Sequence, residues 1–308
     1  MEAPTTEELL DDAEARTGLA RGQLLMMVAK SATVRHLACH PDYRDLFVLK
    51  GGTLLSNVYR SPRQSVKDAD YTYLDPQTLL APELEHALSI DGEYGFHLAP
   101  QEVFSFDRDM FAGDAPFSMD GIVLELRGRD RELKITVSVR AGERLDPPRE
   151  RLFYHDPLLA HDATFEVNGL TRDELSAEKV LAWCSKPLAK HFVDLAYVAR
   201  EHHEHVDREK VADLVRRKFN VEGRSQRYAT VGIRRPADLV RTFADAGKLR
   251  SLREDWEQLV GSELLFLPSE RAKPPTQTLT NSQNVERICL EFWQPTLDLL
   301  LSTRMLGQ

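Results

Sequence analysis

Two aspartates, Asp68 and Asp70, stand one residue apart in a segment that alternates in the manner of a β-strand. A period of two places both carboxylates on one face of the strand and puts Tyr71 and Tyr73 on the other. Neighbouring carboxylates repel each other unless a cation lies between them, and Mg²⁺ prefers such oxygen ligands. The pair therefore predicts a site for a divalent ion, which would in turn bind a triphosphate.

A glycine pair precedes the aspartates and is followed by Thr53. The apolar run 47–49 is of strand type and leads through Lys50 to Gly51 and Gly52, where the backbone can turn sharply. A helix is expected next, with Thr53 as its cap, and the N–H groups of its first turn would seat a phosphate beside Lys50. Strand, glycine turn, helix and Asp-x-Asp strand in close succession favour a nucleotide site over an ordinary turn.

Further elements must position this site. The sequence predicts a first helix after Thr5-Thr6 and a second over about 20–39, followed beyond the aspartates by a helical stretch over 76–88. Strands are expected over 96–106, 121–126 and 133–139, the last two joined by a turn at 128–130. This order fits a small α/β domain, and Asp146-Pro147-Pro148 marks its edge. We therefore expect one domain over 1–148 and another over 149–308.

The second domain has a mainly helical rhythm. After a short strand over 164–167, a capping pattern at Thr171–Glu174 predicts a helix, and Lys186-Pro187 separates it from the next one. A loop is expected over 268–275, and a last helix over about 284–305 with a disturbance at Pro295.

Composition narrows the class of protein. The chain has 308 residues, of which 42% are hydrophobic, and a formal net charge of −9. That charge argues against a protein that coats nucleic acid without specificity. No apolar run approaches the roughly 18 residues that span a membrane, and the acidic start lacks a signal-peptide pattern, so a cytoplasmic location is expected. We expect Cys39, Cys184 and Cys289 to be reduced core thiols.

The segment 216–235 is basic although the chain as a whole has a negative net charge. It contains a single acidic residue among many cations. Its cations include Arg216, Arg217, Lys218, Arg224 and Arg227. A solvated helix face and loop is one interpretation of this segment. Contact with RNA is the other, with Phe219 and Tyr228 either stacking on bases or lying in the core.

The chain resembles the AbiEii-type nucleotidyltransferase toxins of toxin–antitoxin systems, a group that includes AbiGii and MenT-like proteins. Lys50-Gly51-Gly52-Thr53, Arg63-x-Ser65 and Lys67-Asp68-x-Asp70 resemble the first motif of the family, and the segment 134–140 is similar to its second strand motif. The segments 175–179 and 190–195 resemble its helical lysine and its later Asp-Leu element. The resemblance implies a DNA polymerase β-like α/β (α+β) domain with a mixed sheet. A mainly helical C-terminal domain would complete the active-site cleft.

The resemblance also implies roles for individual residues. Asp68 and Asp70 would hold one Mg²⁺ rather than two, because Thr136 stands where many relatives carry a third carboxylate. Lys179 would contact the phosphates, unless it is an exposed helix cation, and Asp194 would orient Lys179 or the acceptor, unless it pairs with Lys190. The NTP would be bound by Lys50, Gly51, Gly52, Thr53, Arg63, Ser65 and Lys67.

The partners implied by the resemblance are an NTP, the 3′ end of tRNA and a cognate antitoxin protein, with no membrane involved. Transfer of a nucleotide to tRNA would block aminoacylation and translation. Two alternatives remain open at this point. The acceptor could be a hydroxyl of a protein or small molecule, or the chain could be a nucleotide-binding regulator whose catalysis lapsed when a carboxylate became Thr136.

Overall fold

The computed structural model describes residues 6–74, 85–105, 121–128, 133–141, 150–156, 164–220, 228–262 and 264–301. Contacts between residues divide the chain into two units, Met1–Leu170 and Thr171–Gln308. The expected edge at 146–148 lies outside the described residues. The strands that follow it pair within the sheet of the first unit, which is why the division falls after Leu170.

The described strands of the first unit form a mixed sheet with the order β4-β5-β6-β7-β3-β1-β9-β8. Their bounds are β1 Phe47–Lys50, β3 Asp68–Tyr73, β4 Ile90–Glu93, β5 Phe96–Ser105, β6 Gly121–Gly128, β7 Lys134–Ala141, β8 Glu150–Tyr154 and β9 Phe165–Gly169; a two-residue strand β2, Arg63–Gln64, precedes β3. The central strand β3 runs antiparallel to β1 and parallel to β7. The predicted antiparallel pair is confirmed as β6 and β7, although most of its turn lies outside the described residues.

The described helices of the first unit are α1 Thr6–Thr17, α2 Arg21–Cys39 and α3 Gly51–Asn57. Helix α2 contacts β3, β4, β7 and β9, and buries Leu24, Val28 and Val34. Its predicted bounds are confirmed, because the amide of His40 closes the last turn on His36 and Pro41 follows. Of the helix predicted over 76–88, residues 76–84 lie outside the described part, and 85–87 are helical.

The second unit is mainly helical, as predicted. Its helices are α4 Arg172–Ser185, α5 Ala189–Glu201, α6 Arg208–Asn220, α7 Pro236–Phe243, α8 Ala246–Glu254, α9 Trp256–Ser262, α10 Pro268–Arg271 and α11 Ser282–Asp298, with a short strand β10 Leu265–Phe266. Thr171 is the N-cap of α4, and its side chain accepts from the Glu174 amide at 3.2 Å. The Thr171 hydroxyl thus accepts a hydrogen bond from the Glu174 amide, which has no acceptor within the helix.

Two boundary predictions in this unit are wrong. The segment 268–275 is not all loop, because Pro268 takes the first position of helix α10, where its fixed φ suits a helix start. The last helix ends at Asp298 rather than near 305, because the Leu300 amide bonds to the Leu297 carbonyl in a tighter turn. Pro295 lies inside that helix.

The cysteines divide by burial. Cys184 and Cys289 are buried free thiols, as predicted, and burial raises the pKa of Cys184 to about 12. Cys39 is exposed, so the core prediction is wrong for it: it is the last residue of α2, at the point where the chain leaves the helix. Among the described helices, none combines the length and apolar character that crossing a bilayer requires.

Candidate functional site

Asp68 and Asp70 lie half-buried on one face of β3, whereas Ala69 and Tyr71 on the other face are buried in the core. The antiparallel register with β1 sets Asp70 opposite Lys50. The parallel register with β7 sets Asp68 opposite Thr136 and Asp70 opposite Ser138. The structure thus places the two carboxylates side by side in the middle of the sheet, next to hydroxyl-bearing residues of β7.

The turn between β1 and α3 requires glycine at its first position. Gly51 has a φ of +69°, and a Cβ built there would lie 3.0 Å from Asp70 Cγ and closer still to its Oδ2. A Cβ on Gly52 would lie 3.1 Å from a terminal guanidinium nitrogen of Arg63 and 3.3 Å from Ser65 Cβ. The first unit therefore brings the glycine pair, Arg63, Ser65 and Asp70 together.

Gly51→Ala is expected to destabilise the first unit more than an ordinary glycine replacement. The positive φ alone costs about 1–2 kcal/mol for a residue with a Cβ, and the collision with Asp70 adds about 1–3 kcal/mol. Gly92→Ala is the matched control, because Gly92 also has a positive φ but no atom within 4 Å of its Cβ position. Urea unfolding of both variants measures the difference, and equal losses would contradict the close approach of Asp70.

Thr53 does not cap α3, which corrects the sequence prediction. The N-cap position is Lys50 and no side chain caps the helix, because the helix already begins at Gly51. Thr53 Oγ1 instead donates to the carbonyl oxygen of Asp68 at 2.5 Å, and Ser65 Oγ donates to the same oxygen at 3.2 Å. Two hydroxyls from two segments therefore fix the backbone of the first aspartate. Lys67 is exposed beside it.

Sequence reasoning missed Lys30, a fully buried lysine in the middle of α2. Its ammonium donates to the carbonyl oxygen of Ser65 at 2.5 Å and lies 3.4 Å from Asn57 Oδ1. Burial lowers the pKa of Lys30 to about 8, although the charges of Asp156 and Asp68 act in the opposite direction. The available signal is a lysine inside a helix stretch that is otherwise free of charge.

The lowered pKa of Lys30 predicts a pH-dependent stability. Its folded-state pKa of about 8 lies below the 10.5 of an exposed lysine, so the unfolded state binds more protons between these values. The free energy of unfolding therefore rises with pH in that window. At pH values below the window the lysine is charged in both states, and the buried charge destabilises the folded protein by its full amount. Relative to Lys30→Met, we expect the wild-type protein to gain about 2 kcal/mol from about pH 7.5 to about pH 9.5.

Urea unfolding of both proteins at the two pH values measures this difference. Buried Tyr71 and Tyr154, whose pKa burial raises, contribute equally to both proteins and cancel. The same change with pH in the wild type and in Lys30→Met would contradict a lysine that titrates from a buried position.

In the second unit, Lys179 of α4 and Asp194 of α5 form a buried ion pair with 2.8 Å between Nζ and Oδ2. The side chain of Asp194 is fully buried and that of Lys179 is 9% exposed. Lys179 is therefore not an exposed helix cation. The pair holds the Lys179 ammonium in one orientation.

The basic segment is partly described. Arg216, Arg217 and Lys218 lie on α6, whereas Arg224 and Arg227 fall in 221–227, outside the described residues. Half-buried Arg216 donates to the carbonyl oxygen of Leu299, and exposed Arg217 lies 2.6 Å from Asp213. Of these residues, Arg217 offers the most accessible cation to a ligand in solution.

Lys218 and the aromatic residues of this segment belong to the interior. Lys218 Nζ lies 2.7 Å from Glu174 and 3.2 Å from Glu178, and the lysine is 5% exposed. Phe219 stacks on Tyr228 with 5.1 Å between the ring centroids, and both rings are buried. The core interpretation of these aromatic residues is therefore confirmed. Lys218 is buried as well, so it does not belong to the surface that we expect to contact RNA.

The side chains of the first unit fit a divalent cation. Asp68 and Asp70 supply hard oxygen ligands on one face, and the Asp70 carboxylate turns towards the glycine turn. No cluster of three or more His, Cys, Asp or Glu ligands occurs in the described residues. Two carboxylates suit Mg²⁺, which keeps several waters and shares its remaining positions with phosphate oxygens.

Comparisons with known proteins give the family of the sequence and solved structures that it resembles. The sequence profile of the AbiEii nucleotidyltransferase toxins of type IV toxin–antitoxin systems matches residues 34–281. A search of the curated proteins finds no significant match. Among solved structures, MenT4, a nucleotidyltransferase toxin from Mycobacterium tuberculosis H37Rv, aligns with a TM-score of 0.56 and 16% identity over 98% of this chain and 91% of that chain.

JHP933 from Helicobacter pylori aligns with a TM-score of 0.43 and 15% identity over 92% of this chain and 93% of that chain. The likeness to MenT4 shows a shared fold, and the profile covers most of the sequence. The chain therefore belongs to the AbiEii family of nucleotidyltransferase toxins of type IV toxin–antitoxin systems.

Proposed function

We propose that this toxin transfers a nucleoside monophosphate from an NTP to the 3′ end of tRNA, in the cytoplasm, and thereby blocks aminoacylation and translation until its antitoxin binds. The observation that carries the proposal is the placement of Asp70 against the Gly51 turn, with Asp68 beside it on the same face of β3. Phosphoryl transfer depends mainly on positioning and charge neutralisation. A carboxylate pair beside a backbone turn supplies the means for both.

The reaction that we propose is transfer of a nucleoside monophosphate with loss of pyrophosphate. The acceptor 3′-hydroxyl attacks the α-phosphorus, the bond from that phosphorus to the bridging oxygen breaks, and pyrophosphate leaves. Gly51, Gly52 and Thr53 lie along the β and γ phosphates, and Lys179 counters charge that develops on the phosphate oxygens. Asp194 holds Lys179 in place. Lys50, Arg63, Ser65 and Lys67 complete the NTP-binding set.

Asp68 and Asp70 would hold one Mg²⁺, which neutralises charge on the triphosphate when bound. Thr136 is the residue of β7 in register with Asp68, and its hydroxyl adds no charge for a second ion. This arrangement supports one ion rather than two.

The tRNA acceptor is supported by membership of a toxin family rather than by an RNA-binding groove. With a net charge of −9, the chain can approach RNA only through local cationic surface. In the described part of the second unit such surface includes exposed Arg217, Arg234 and Arg235. We propose that these residues, with Arg216, Arg224 and Arg227, steer the acceptor.

The function is tested by incubating the purified protein with Mg²⁺, total tRNA and each α-labelled NTP in turn. We expect label from one NTP in the tRNA band of a denaturing gel, and none after chelation of the metal. Periodate-treated tRNA is the matched control, because it lacks the terminal 3′-hydroxyl and should remain unlabelled.

Other results would redirect the assignment. Label in a protein band or in a small molecule would replace tRNA as the acceptor while keeping the transferase reaction. Binding of NTP without transfer to any acceptor would identify a nucleotide-binding regulator instead.

A further inference from the structure

A buried cation lies behind the candidate site, on an element that carries none of the residues in the proposed reaction. Lys30 of α2 is 0% exposed, and it donates to the carbonyl oxygen of Ser65 at 2.5 Å. A buried ammonium costs several kcal/mol of hydration unless partners compensate it. A neutral side chain of similar length would fill the same space without that cost, so the charge calls for a reason other than packing.

The surroundings of Lys30 form a polar layer within the first unit. Asn57, at the end of α3, lies 3.4 Å from Lys30 through its Oδ1 and donates from Nδ2 to the His155 carbonyl at 3.1 Å. Ser31, next to Lys30, bonds to Tyr154 at 2.8 Å and to Asp156. This layer joins α2, α3 and the end of β8, and thereby gives Lys30 a fixed frame.

A chain of contacts leads from Lys30 to the face of β3 that carries Asp68 and Asp70. Its ammonium holds the carbonyl of Ser65, and the hydroxyl of the same serine donates to the Asp68 carbonyl at 3.2 Å. Ser65 Cβ also lies 3.3 Å from the Cβ position of Gly52. The segment 63–67 is thus held from behind by Lys30 and touches both the glycine turn and the first aspartate in front.

We propose that Lys30 is a positioning residue for nucleotide binding: it holds segment 63–67 against Gly51-Gly52, so that Arg63 and Ser65 meet the triphosphate in one arrangement. This inference rests on the proposed function for the identity of the ligand. Lys30 itself does not touch the nucleotide. Its loss should therefore weaken NTP binding more than it slows transfer from the bound NTP.

The first experiment measures amide hydrogen exchange in the full-length protein, which requires no activity. In Lys30→Met we expect exchange across 63–68 to accelerate at least about 10-fold, because the Ser65 carbonyl loses its donor. Thr33→Val is the matched control: Thr33 is buried on the same helix, and its hydroxyl donates to Ala29 within that helix. Unchanged exchange across 63–68 in Lys30→Met would overturn the proposal.

The second experiment measures transfer against concentration of whichever α-labelled NTP the wild type uses. We expect KM for that NTP to rise about 10-fold in Lys30→Met with kcat within about threefold, and Lys30→Arg to recover most of the difference. A residue needed only for folding would lower the active fraction and leave KM unchanged. That outcome would overturn the positioning role.

The two experiments separate two kinds of failure. A wild type that transfers nothing contradicts the proposed function, while hydrogen exchange still decides whether Lys30 holds 63–67. If Lys30→Met does not fold, Lys30→Gln takes its place, because its amide is polar enough for the buried site but its side chain is one atom shorter than lysine and so falls short of the Ser65 carbonyl. Wild-type exchange across 63–68 in that variant would likewise overturn the inference.

Discussion

Asp68→Asn is expected to reduce nucleotide transfer about 10³-fold while the protein stays folded. The change removes one of two carboxylates on the face of β3 and keeps the size of the side chain. The bonds from Thr53 and Ser65 reach the backbone carbonyl of residue 68, not its carboxylate, so they survive the substitution. The variant therefore separates the charge at this position from the structural role of its backbone.

Asp42→Asn is the matched control for this experiment. It changes the net charge by the same amount, and the Asp42 side chain is 79% exposed. We expect wild-type transfer from this control and wild-type unfolding by urea from both variants. In cells, expression of the wild type and of the control should halt growth, whereas Asp68→Asn should not. A folded Asp68→Asn protein that still transfers nucleotide would contradict the metal-binding role.

The parts of the site that follow local rules could be predicted from the sequence. The alternation at 68–73 fixes which side chains share a face, and it correctly separates the aspartates from Tyr71. The glycine pair indicates a backbone that only glycine adopts readily, and Gly51 has that backbone. These features depend on neighbours in the chain, so periodicity and turn chemistry suffice to find them.

The parts that depend on distant contacts could not be predicted. Thr53 is a residue type that commonly caps helices, but α3 begins before it. Its hydroxyl instead donates to the Asp68 carbonyl, 15 residues away. Lys218 lies in a run of cations typical of a surface, yet it is buried and forms ion pairs with two carboxylates of α4. Lys30 is a lone charge within its helix stretch, but the carbonyl that it binds belongs to Ser65, 35 residues away. Each case requires a partner that only the tertiary structure identifies.

Lys179→Met is expected to lower kcat/KM about 10²- to 10³-fold, the range for the loss of one preorganised group that stabilises charge in a transition state. The substitution also leaves the buried Asp194 carboxylate without its ammonium, which costs about 3–5 kcal/mol of stability. Unfolding must therefore be measured first. Transfer is then compared at a temperature where more than about 90% of each protein is folded, which a two-state fit defines.

Arg200→Met provides the control that distinguishes lost catalysis from lost stability. Arg200 lies on the same helix as Asp194, and its guanidinium donates to buried Glu270 at 2.8 and 3.1 Å. Its removal also breaks a buried ion pair, but no step of the proposed reaction uses it. We expect comparable destabilisation with transfer per folded molecule within about threefold of wild type. Equal losses of transfer in the two variants would show that Lys179 acts through stability alone, whereas loss confined to Lys179→Met would establish that the buried pair serves the reaction.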